Sequence, residues 1–456
     1  MRLKFRMLCG LLLTLAWNVA SPSTAAGLED DIWLWAGSDD FFSMDEDALF
    51  GSGGLLTEIE PDSGSALEEV FLVQEGVDVG GSYSLSMGVG RMWTPEDGGP
   101  AGGNADRRAD LSGSLFLDAR PSREFRAFAK IKGDVRLTES PLDPNIALHE
   151  LFADFTLADK AFFRLGKQTV NWGVGYFFSP ADIINVGRID PENPEAEREG
   201  PVALGLHLPS GRNNFYTYAI VDGIAGDYRL ALAPKVEFVF GRSEVGAGFY
   251  YRADRAPRAM ATLSTSFGRL SLFGEAVLSK GSDKRFVREV PVSPDNPFGL
   301  AVVTDQDTVR FHGTAGARAA YSDPDGRFSV SAAGQYYYNG EGYDGEFSKA
   351  NRAAMLLLLG TGQLAATDVM STGRHYAALS LGGTSRSFKD FAPAAFWMGN
   401  LSDGSGMVNL TLSYNRWKDI RPSIAISRTY GGAGSEFAPL SPETRFTVSV
   451  TIAGSW

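Results

Sequence analysis

The chain has 456 residues, of which 44% are hydrophobic, 12% aromatic and 21% charged, and its formal net charge is −13. Beyond the amino terminus, no apolar run reaches the roughly 18–20 residues that a membrane-spanning helix needs, so a helical membrane bundle is excluded. The acidic balance also argues against a nucleic-acid partner, because phosphate binding needs concentrated positive charge.

Residues 1–26 are predicted to be a secretory signal peptide. Basic residues precede an apolar core at 7–17, and small residues close the segment. The single cysteine of the chain, Cys9, lies within it, so the mature protein is predicted to contain none. An exported chain of this size without disulfides is typical of a Gram-negative-type envelope.

Residues 27–70 are predicted to be an acidic amino-terminal extension, either periplasmic or folded into the pore. Asp45-Glu46-Asp47 begins like a calcium loop, but Phe50 stands where the loop needs glycine. A solvated acidic segment is therefore the favoured interpretation, and no metal site is predicted.

From about residue 79 onward the hydrophobic pattern has period two. In 125–137 the odd positions are apolar and the even positions carry most of the charge, which predicts a strand with one apolar and one polar face. The same alternation recurs along the chain, with short and long connections between the segments. We predict an all-β fold in which 71–456 form a transmembrane antiparallel barrel of about 16 strands (range 14–18), with short periplasmic turns and longer outer loops.

The carboxyl-terminal strand resembles the assembly signal of bacterial outer-membrane barrels, which the barrel-assembly machinery reads. Phe446, Val448, Val450, Ile452 and Trp456 fall on one face, and the last residue is aromatic. A buried final strand of a soluble β-domain is the alternative.

Two long interruptions lie within the barrel region, at about 171–200 and 339–373, and a short loop helix is considered at Arg352–Leu359. Before and within the first, the chain reads Leu-Gly-Lys-Gln, Trp-Gly and Ser-Pro-Ala-Asp between residues 165 and 182. These motifs resemble porin-like outer-membrane barrels of proteobacteria and spirochaetes, a group loosely similar to alginate-export channels. The resemblance implies a channel. The chain lacks the dense arginine ladder of polyuronate exporters and the plug motif of fatty-acid transporters.

Residues 171–200 are the candidate constriction loop. Gly173 and Gly175 let the backbone bend sharply beside Trp172, and Pro180 with Asp182 resembles the start of a helix. One hypothesis is that the loop folds into the lumen and narrows it. The other is a packed turn that closes one rim of the barrel.

Charged and polar residues on the predicted inner faces are the candidate pore lining. They are Arg126, Lys130, Lys132, Asp134, Arg136, Arg164, Gln168, Arg188, Arg310 and Arg318. Bases outnumber acids on 126–136, and fixed charge sets ion preference in pores. A preference for anionic or hydroxylated solutes is the resulting hypothesis.

No catalytic residues or cofactor are predicted. The four histidines are far apart, no His-Glu-x-x-His motif exists, and no Gly-x-Ser-x-Gly elbow is present. The favoured function is passive diffusion of small hydrophilic solutes through a porin in the outer membrane of a diderm bacterium. The alternatives are a structural or adhesive barrel whose long loops bind an envelope or host partner, and a barrel enzyme. Outer-membrane lipid is the expected surrounding, and a homotrimer is the oligomer considered.

Overall fold

The computed structural model describes residues 76–138, 141–186, 189–222, 229–293, 299–388, 390–417 and 419–456. The predicted signal peptide, the acidic extension and the lining candidate Arg188 lie outside the described residues.

The described residues form twenty strands and two α-helices. The strands are β1 (Gly76–Trp93), β2 (Asn104–Ser122), β3 (Phe125–Arg136), β4 (Asn145–Leu157), β5 (Ala161–Lys167), β6 (Val202–Ser210), β7 (Asn213–Asp222), β8 (Arg229–Phe240), β9 (Ser243–Arg252), β10 (Arg258–Phe267), β11 (Leu270–Lys280), β12 (Phe286–Glu289), β13 (Leu300–Val303), β14 (Val309–Ser322), β15 (Phe328–Asn339), β16 (His375–Ser385), β17 (Phe391–Asn400), β18 (Ser405–Tyr414), β19 (Ile420–Tyr430) and β20 (Thr444–Ser455). The helices are α1 (Gly345–Gly360) and α2 (Ala366–Val369).

Eighteen of these strands close into one antiparallel barrel. Each barrel strand pairs with its neighbours along the chain, and β20 closes the ring on β1, with Leu85 opposite Ile452. β12 and β13 form a separate hairpin. The all-β barrel is confirmed, and its strand number is 18 rather than 16, at the upper limit of the predicted range. The alternation does not reveal β17, because Phe396 and Met398 face inward and are buried.

The outer surface of the barrel is apolar on every side. Side chains at outward positions remain largely exposed although they are hydrophobic, for example Val77, Leu111, Leu263 and Leu412. A sheet can cross hydrocarbon only when it closes on itself, because each unpaired backbone group there costs several kcal/mol. Closure and the apolar exterior together make this a membrane-spanning barrel.

No helix in the described part of the chain is both long and apolar enough to cross a membrane.

The two ends of the barrel differ in their connections. At one end, the short-turn end, Gly211, Gly241 and Gly268 each have a φ of 62°, a left-handed conformation that glycine adopts without a Cβ clash. At the other end, the long-loop end, the connections are longer and several have their own structure. This asymmetry is the one predicted for an outer-membrane barrel.

Two long loops build a cap at the long-loop end. The β12–β13 hairpin packs against α1 and α2 around a buried apolar cluster that includes Val287, Leu300 and Met355. Asp344 begins α1, where its side chain accepts a hydrogen bond from the backbone N–H of Glu346 at 3.0 Å. The helix considered at 352–359 is therefore present but longer.

Candidate channel lumen

The connection between β5 and β6, residues 168–201, enters the barrel, and we call it the lumen segment. Its main anchor is Glu275, an inward-facing residue of β11 that is only 5% exposed. The Glu275 carboxylate accepts hydrogen bonds from the backbone N–H of Val174 at 2.5 Å, Gly175 at 2.6 Å and Ala181 at 2.9 Å, and from the Ser179 hydroxyl at 2.8 Å. One carboxylate thus holds both limbs of a tight turn against the wall.

A second anchor lies on β15. The side-chain oxygen of Gln335 accepts hydrogen bonds from the backbone N–H of Tyr176 at 3.1 Å and of Phe177 at 2.6 Å. The Gln335 amide donates to the carbonyl oxygen of Phe178. Farther round the wall, the Phe177 ring lies 5.8 Å from that of Phe396 on β17. The turn therefore reaches well beyond β11.

The beginning of the lumen segment fills the space beside β6 to β11. Trp172 is 1% exposed and meets the ring of Tyr218 edge-on at 5.4 Å. Lys235 on β8 donates to the carbonyl oxygen of Trp172 at 2.8 Å. Inward residues of these strands, such as Ala203 and Ile220, join Trp172 in a buried apolar cluster. We call this side of the barrel, β6 to β11, the packed half.

The returning limb of the lumen segment bridges opposite walls. Glu195 pairs with Arg318 on β14 at 3.6 Å, while Glu197 pairs with Lys130 at 2.5 Å and Lys132 at 2.7 Å on β3. In the ring of eighteen strands, β3 and β14 are nine strands apart, so they face each other across the lumen. Residues only two apart in sequence therefore contact both sides, so the segment crosses the lumen.

The glycines of the candidate constriction loop are sterically required. A Cβ on Gly173 would lie 1.9 Å from the Ser179 hydroxyl, and one on Gly175 would lie 2.0 Å from the carbonyl oxygen of Phe178. The close approach explains why these two positions carry no side chain.

The structure corrects one local expectation in this loop. Pro180 and Asp182 do not start a helix. The chain makes a single turn here, closed by a bond from the Asp182 N–H to the carbonyl oxygen of Ser179 at 3.1 Å. Asp182 instead forms an ion pair with Arg198 on the returning limb. Tertiary contacts hold the chain in this turn instead, because the side-chain amide of Asn185 donates to the carbonyl oxygen of Val170 at 2.6 Å and to Asp182 at 2.8 Å.

Inward-facing charged residues concentrate on β2 to β5, and we call them the charged wall. They are Asp106, Arg108, Asp110, Asp118, Arg120, Arg126, Lys130, Lys132, Asp134, Arg136, Glu150, Asp154 and Arg164. The charged wall contains seven basic and six acidic side chains, and Glu197 of the lumen segment raises the number of acidic side chains to seven.

The bases of β3 have carboxylate partners. Arg126 lies 2.9 Å from Asp118, and Arg136 lies 3.1 Å from Asp110, while Lys130 and Lys132 both contact Glu197. Paired charges of opposite sign cancel over the distances at which a passing ion senses them. The excess of bases seen in the sequence of β3 is therefore balanced in the folded barrel.

Inward-facing hydroxyl side chains concentrate on β18, β19, β20 and β1, four consecutive strands of the ring. We call them the hydroxyl wall. They are Thr411, Ser413, Ser423, Ser427, Thr447, Ser449, Thr451, Ser82, Ser84 and Ser86. The described charged residues that face inward on these strands, Asp78, Arg421 and Arg445, lie near strand ends.

The other lining candidates lie in different places. Arg164 pairs with Asp154 at 2.6 Å on the charged wall, and Asp134 accepts from the Asn145 side chain at 3.1 Å. Gln168 is 2% exposed and donates to the carbonyl oxygen of Ala203 at 3.0 Å, so it is buried under the lumen segment rather than lining a passage.

Arg310 lies at the long-loop end, beside the cap. It donates to Asp305 at 2.5 Å and stands over the Phe286 ring, 4.3 Å from its centroid. The Thr308 backbone N–H, together with Arg310, lowers the pKa of Asp305 to about 2. This ion pair braces the loop that leads from the hairpin into β14.

Sequence reasoning missed the anchors Glu275 and Gln335 and the hydroxyl wall. Glu275 is the only acid in the otherwise apolar and small sequence of β11, which was a usable signal. Serine occupies alternate positions at 82–86 in the sequence, but the concentration of hydroxyls on neighbouring strands emerges only from the ring order. Within the described residues, no cluster of three or more His, Cys, Asp or Glu side chains could hold a metal ion.

The fold is that of a closed transmembrane β-barrel whose polar lumen is crossed by the lumen segment. No family model matches the chain, and no curated protein matches its sequence.

Solved structures resemble the fold at low sequence identity. OccAB1 of Acinetobacter baumannii is 11% identical, with 83% of this chain and 97% of that chain covered and a TM-score of 0.45. OccK8 (OprE) of Pseudomonas aeruginosa is 10% identical, with 83% and 98% covered and a TM-score of 0.47. OpdK of the same organism, solved with vanillate, is 8% identical, with 83% and 99% covered and a TM-score of 0.44.

Proposed function

We propose that this protein is an outer-membrane porin through which small hydrophilic solutes diffuse passively. The observation that carries the proposal is the lumen segment, which crosses a closed barrel and leaves polar walls beside it. Glu195 and Glu197 reach opposite sides of the ring. A barrel with a purely structural role would not need a segment that crosses its lumen between polar side chains.

The passage runs between the lumen segment and the two polar walls. The packed half is filled by apolar contacts around Trp172, so solutes are confined to the side lined by the charged wall and the hydroxyl wall. The aperture is set by the lumen segment, and no chemical step or cofactor is involved.

Weak ion selectivity follows from the balance of charge. The hypothesis of an anion preference rested on the bases of β3, and each of those bases has a carboxylate partner. We therefore propose that size and hydration, rather than net charge, decide which solutes pass.

The experiment is single-channel recording of the purified mature protein in planar bilayers. We expect stepwise conductance in potassium chloride and a reversal potential close to zero in a salt gradient. Bilayers that stay silent, while the protein is correctly assembled and its long loops still bind an envelope or host component, would support the adhesive alternative.

Excision of the lumen segment tests its role directly. Replacing residues 171–200 by a short Gly-Ser linker should raise the single-channel conductance, because most of the lumen segment is removed while the barrel strands remain. Unchanged conductance together with poor barrel assembly would show that the segment only closes a rim.

Assembly and quaternary structure remain proposals. Phe446, Val448, Val450 and Ile452 lie on the lipid-facing side of β20, and Trp456 is 65% exposed at the end of the chain. This arrangement supports recognition by the barrel-assembly machinery. A homotrimer is tested by cross-linking in detergent.

A further inference from the structure

We propose that the hydroxyl wall is a binding surface for uncharged, hydroxyl-rich solutes such as sugar alcohols and small sugars. The inference rests on the proposed porin function and names its solute class. Such solutes would move along β18, β19, β20 and β1 by exchanging water hydrogen bonds for bonds with wall hydroxyls.

The first argument is the spare hydrogen-bonding capacity of paired hydroxyls. Ser423 and Ser449 lie 2.8 Å apart across neighbouring strands, and Thr451 donates to Ser86 at 3.3 Å. Each hydroxyl has one donor and two acceptor lone pairs, so a pair that shares one bond keeps a second O–H and several lone pairs. A sugar alcohol carries the same groups and can satisfy either kind of site.

The second argument is that two buried hydrogen-bond acceptors on β18 lack a donor. The hydroxyl oxygen of Thr411 and the side-chain carbonyl oxygen of Asn409 are buried and have no hydrogen-bond partner. Both residues face inward and are about one-twentieth exposed, at 5% and 6%. A buried acceptor without a partner is costly, so this site favours a donor that the described residues do not provide. A solute hydroxyl that enters between the side chains around Thr411 and Asn409 would supply such a donor.

The third argument is the lack of charge along the middle of the hydroxyl wall. Asp78, Arg421 and Arg445 lie near strand ends, so a charged solute that sheds water beside this wall finds no counter-charge to offset the cost. The adjacent charged wall begins at β2, the neighbour of β1, and its bases are already engaged in ion pairs. An uncharged polar solute therefore gains most from this geometry.

The test compares two solutes in vesicles that contain the full-length mature protein. Sorbitol is uncharged and rich in hydroxyls, and glycine betaine is small, zwitterionic and without hydroxyls. The variant combines Thr411→Val, Ser423→Ala and Ser449→Ala, which removes three wall hydroxyls with little change of shape. A permeating sorbitol that loses a net of one wall hydrogen bond, worth about 1 kcal/mol, should permeate about fivefold less, so we expect the sorbitol-to-betaine permeation ratio to fall about fivefold.

The matched control is Ser243→Ala with Thr265→Val. These residues form the same kind of hydroxyl pair at 2.8 Å, but on the outer face of β9 and β10. We expect the control to keep both the wild-type permeation ratio and the wild-type potassium chloride conductance.

Two failures are distinguishable. An unchanged sorbitol-to-betaine ratio in a conducting triple variant, or an equal fall in the control, would overturn the hydroxyl-wall inference alone. Vesicles impermeable to both solutes, with no conductance in wild-type protein, would overturn the porin function as well.

Discussion

The two sides of the lumen are built in opposite ways. On the packed half, inward positions carry apolar side chains such as Ala203, Ile220 and Met260, which close around Trp172. On the other side, inward positions carry ion pairs and hydroxyls. A barrel strand must be apolar outside, but its inner face is free to pack or to remain wet. The comparison shows that β6 to β11 support the lumen segment, whereas the charged wall and the hydroxyl wall line the proposed passage.

The largest effect is expected from removing Glu275, the main anchor of the lumen segment. Glu275→Ala removes the acceptor of four hydrogen bonds, so the turn at 174–181 should leave the wall. We expect single-channel conductance to rise about twofold and to become noisy, because pore size and lining set conduction.

The matched control for the anchor is Asp134→Ala. Asp134 is also an inward carboxylate, but its hydrogen-bond donor is the side chain of Asn145 on β4 rather than the lumen segment. An equal rise of conductance in both variants would mean that lost negative charge, rather than a released segment, enlarges the current.

The next effect concerns stability of the packed half. Gly173→Val would place a side chain against Ser179 and Glu275, since even a Cβ there lies 1.9 Å from the Ser179 hydroxyl. Overpacking of this kind costs about 1–3 kcal/mol, and the temperature at which the barrel unfolds in detergent should fall. Gly133→Ala is the control, because its Cβ would have 3.5 Å of clearance.

A smaller effect is expected on the charged wall. Replacing Lys130 and Lys132 together by Gln leaves Glu197 without its two lysine partners. The passage should therefore become cation-selective by about twofold at low salt, where screening is weak. Adding Glu197→Gln should return the reversal potential toward zero. A shift toward anions in the double variant would contradict the assigned pairing.

The smallest effect is expected at the end of the chain. Trp456 stacks on Tyr83 with ring centroids 6.4 Å apart, and its backbone exchanges two hydrogen bonds with Gly81. Because Trp456→Ala keeps the backbone bonds, barrel stability should fall by only about 1 kcal/mol, with conductance unchanged. The yield of assembled barrel in cells measures the predicted assembly signal separately, and an unchanged yield would count against it.

The strand pattern predicted the barrel because most outward positions obey the same physical demand for an apolar side chain. It missed β17, where Phe396 packs inward against the lumen segment and removes the alternation. The sequence indicates the bend at Gly173 and Gly175. It does not indicate that Glu275 anchors this bend, because the two are brought into contact only when the strands close into a barrel. The charge of β3 was misleading by itself, because its carboxylate partners come from other strands and from Glu197.

Single cysteines test the central claim most directly, because the only native cysteine, Cys9, lies in the predicted signal peptide. Ser449→Cys faces the passage, whereas Ala203→Cys lies in the packed half, where Ala203 is 1% exposed. A charged, membrane-impermeant thiol reagent should reduce the current through the first variant and leave the second unchanged. Equal block of both, or block of the second alone, would contradict a passage along the polar walls.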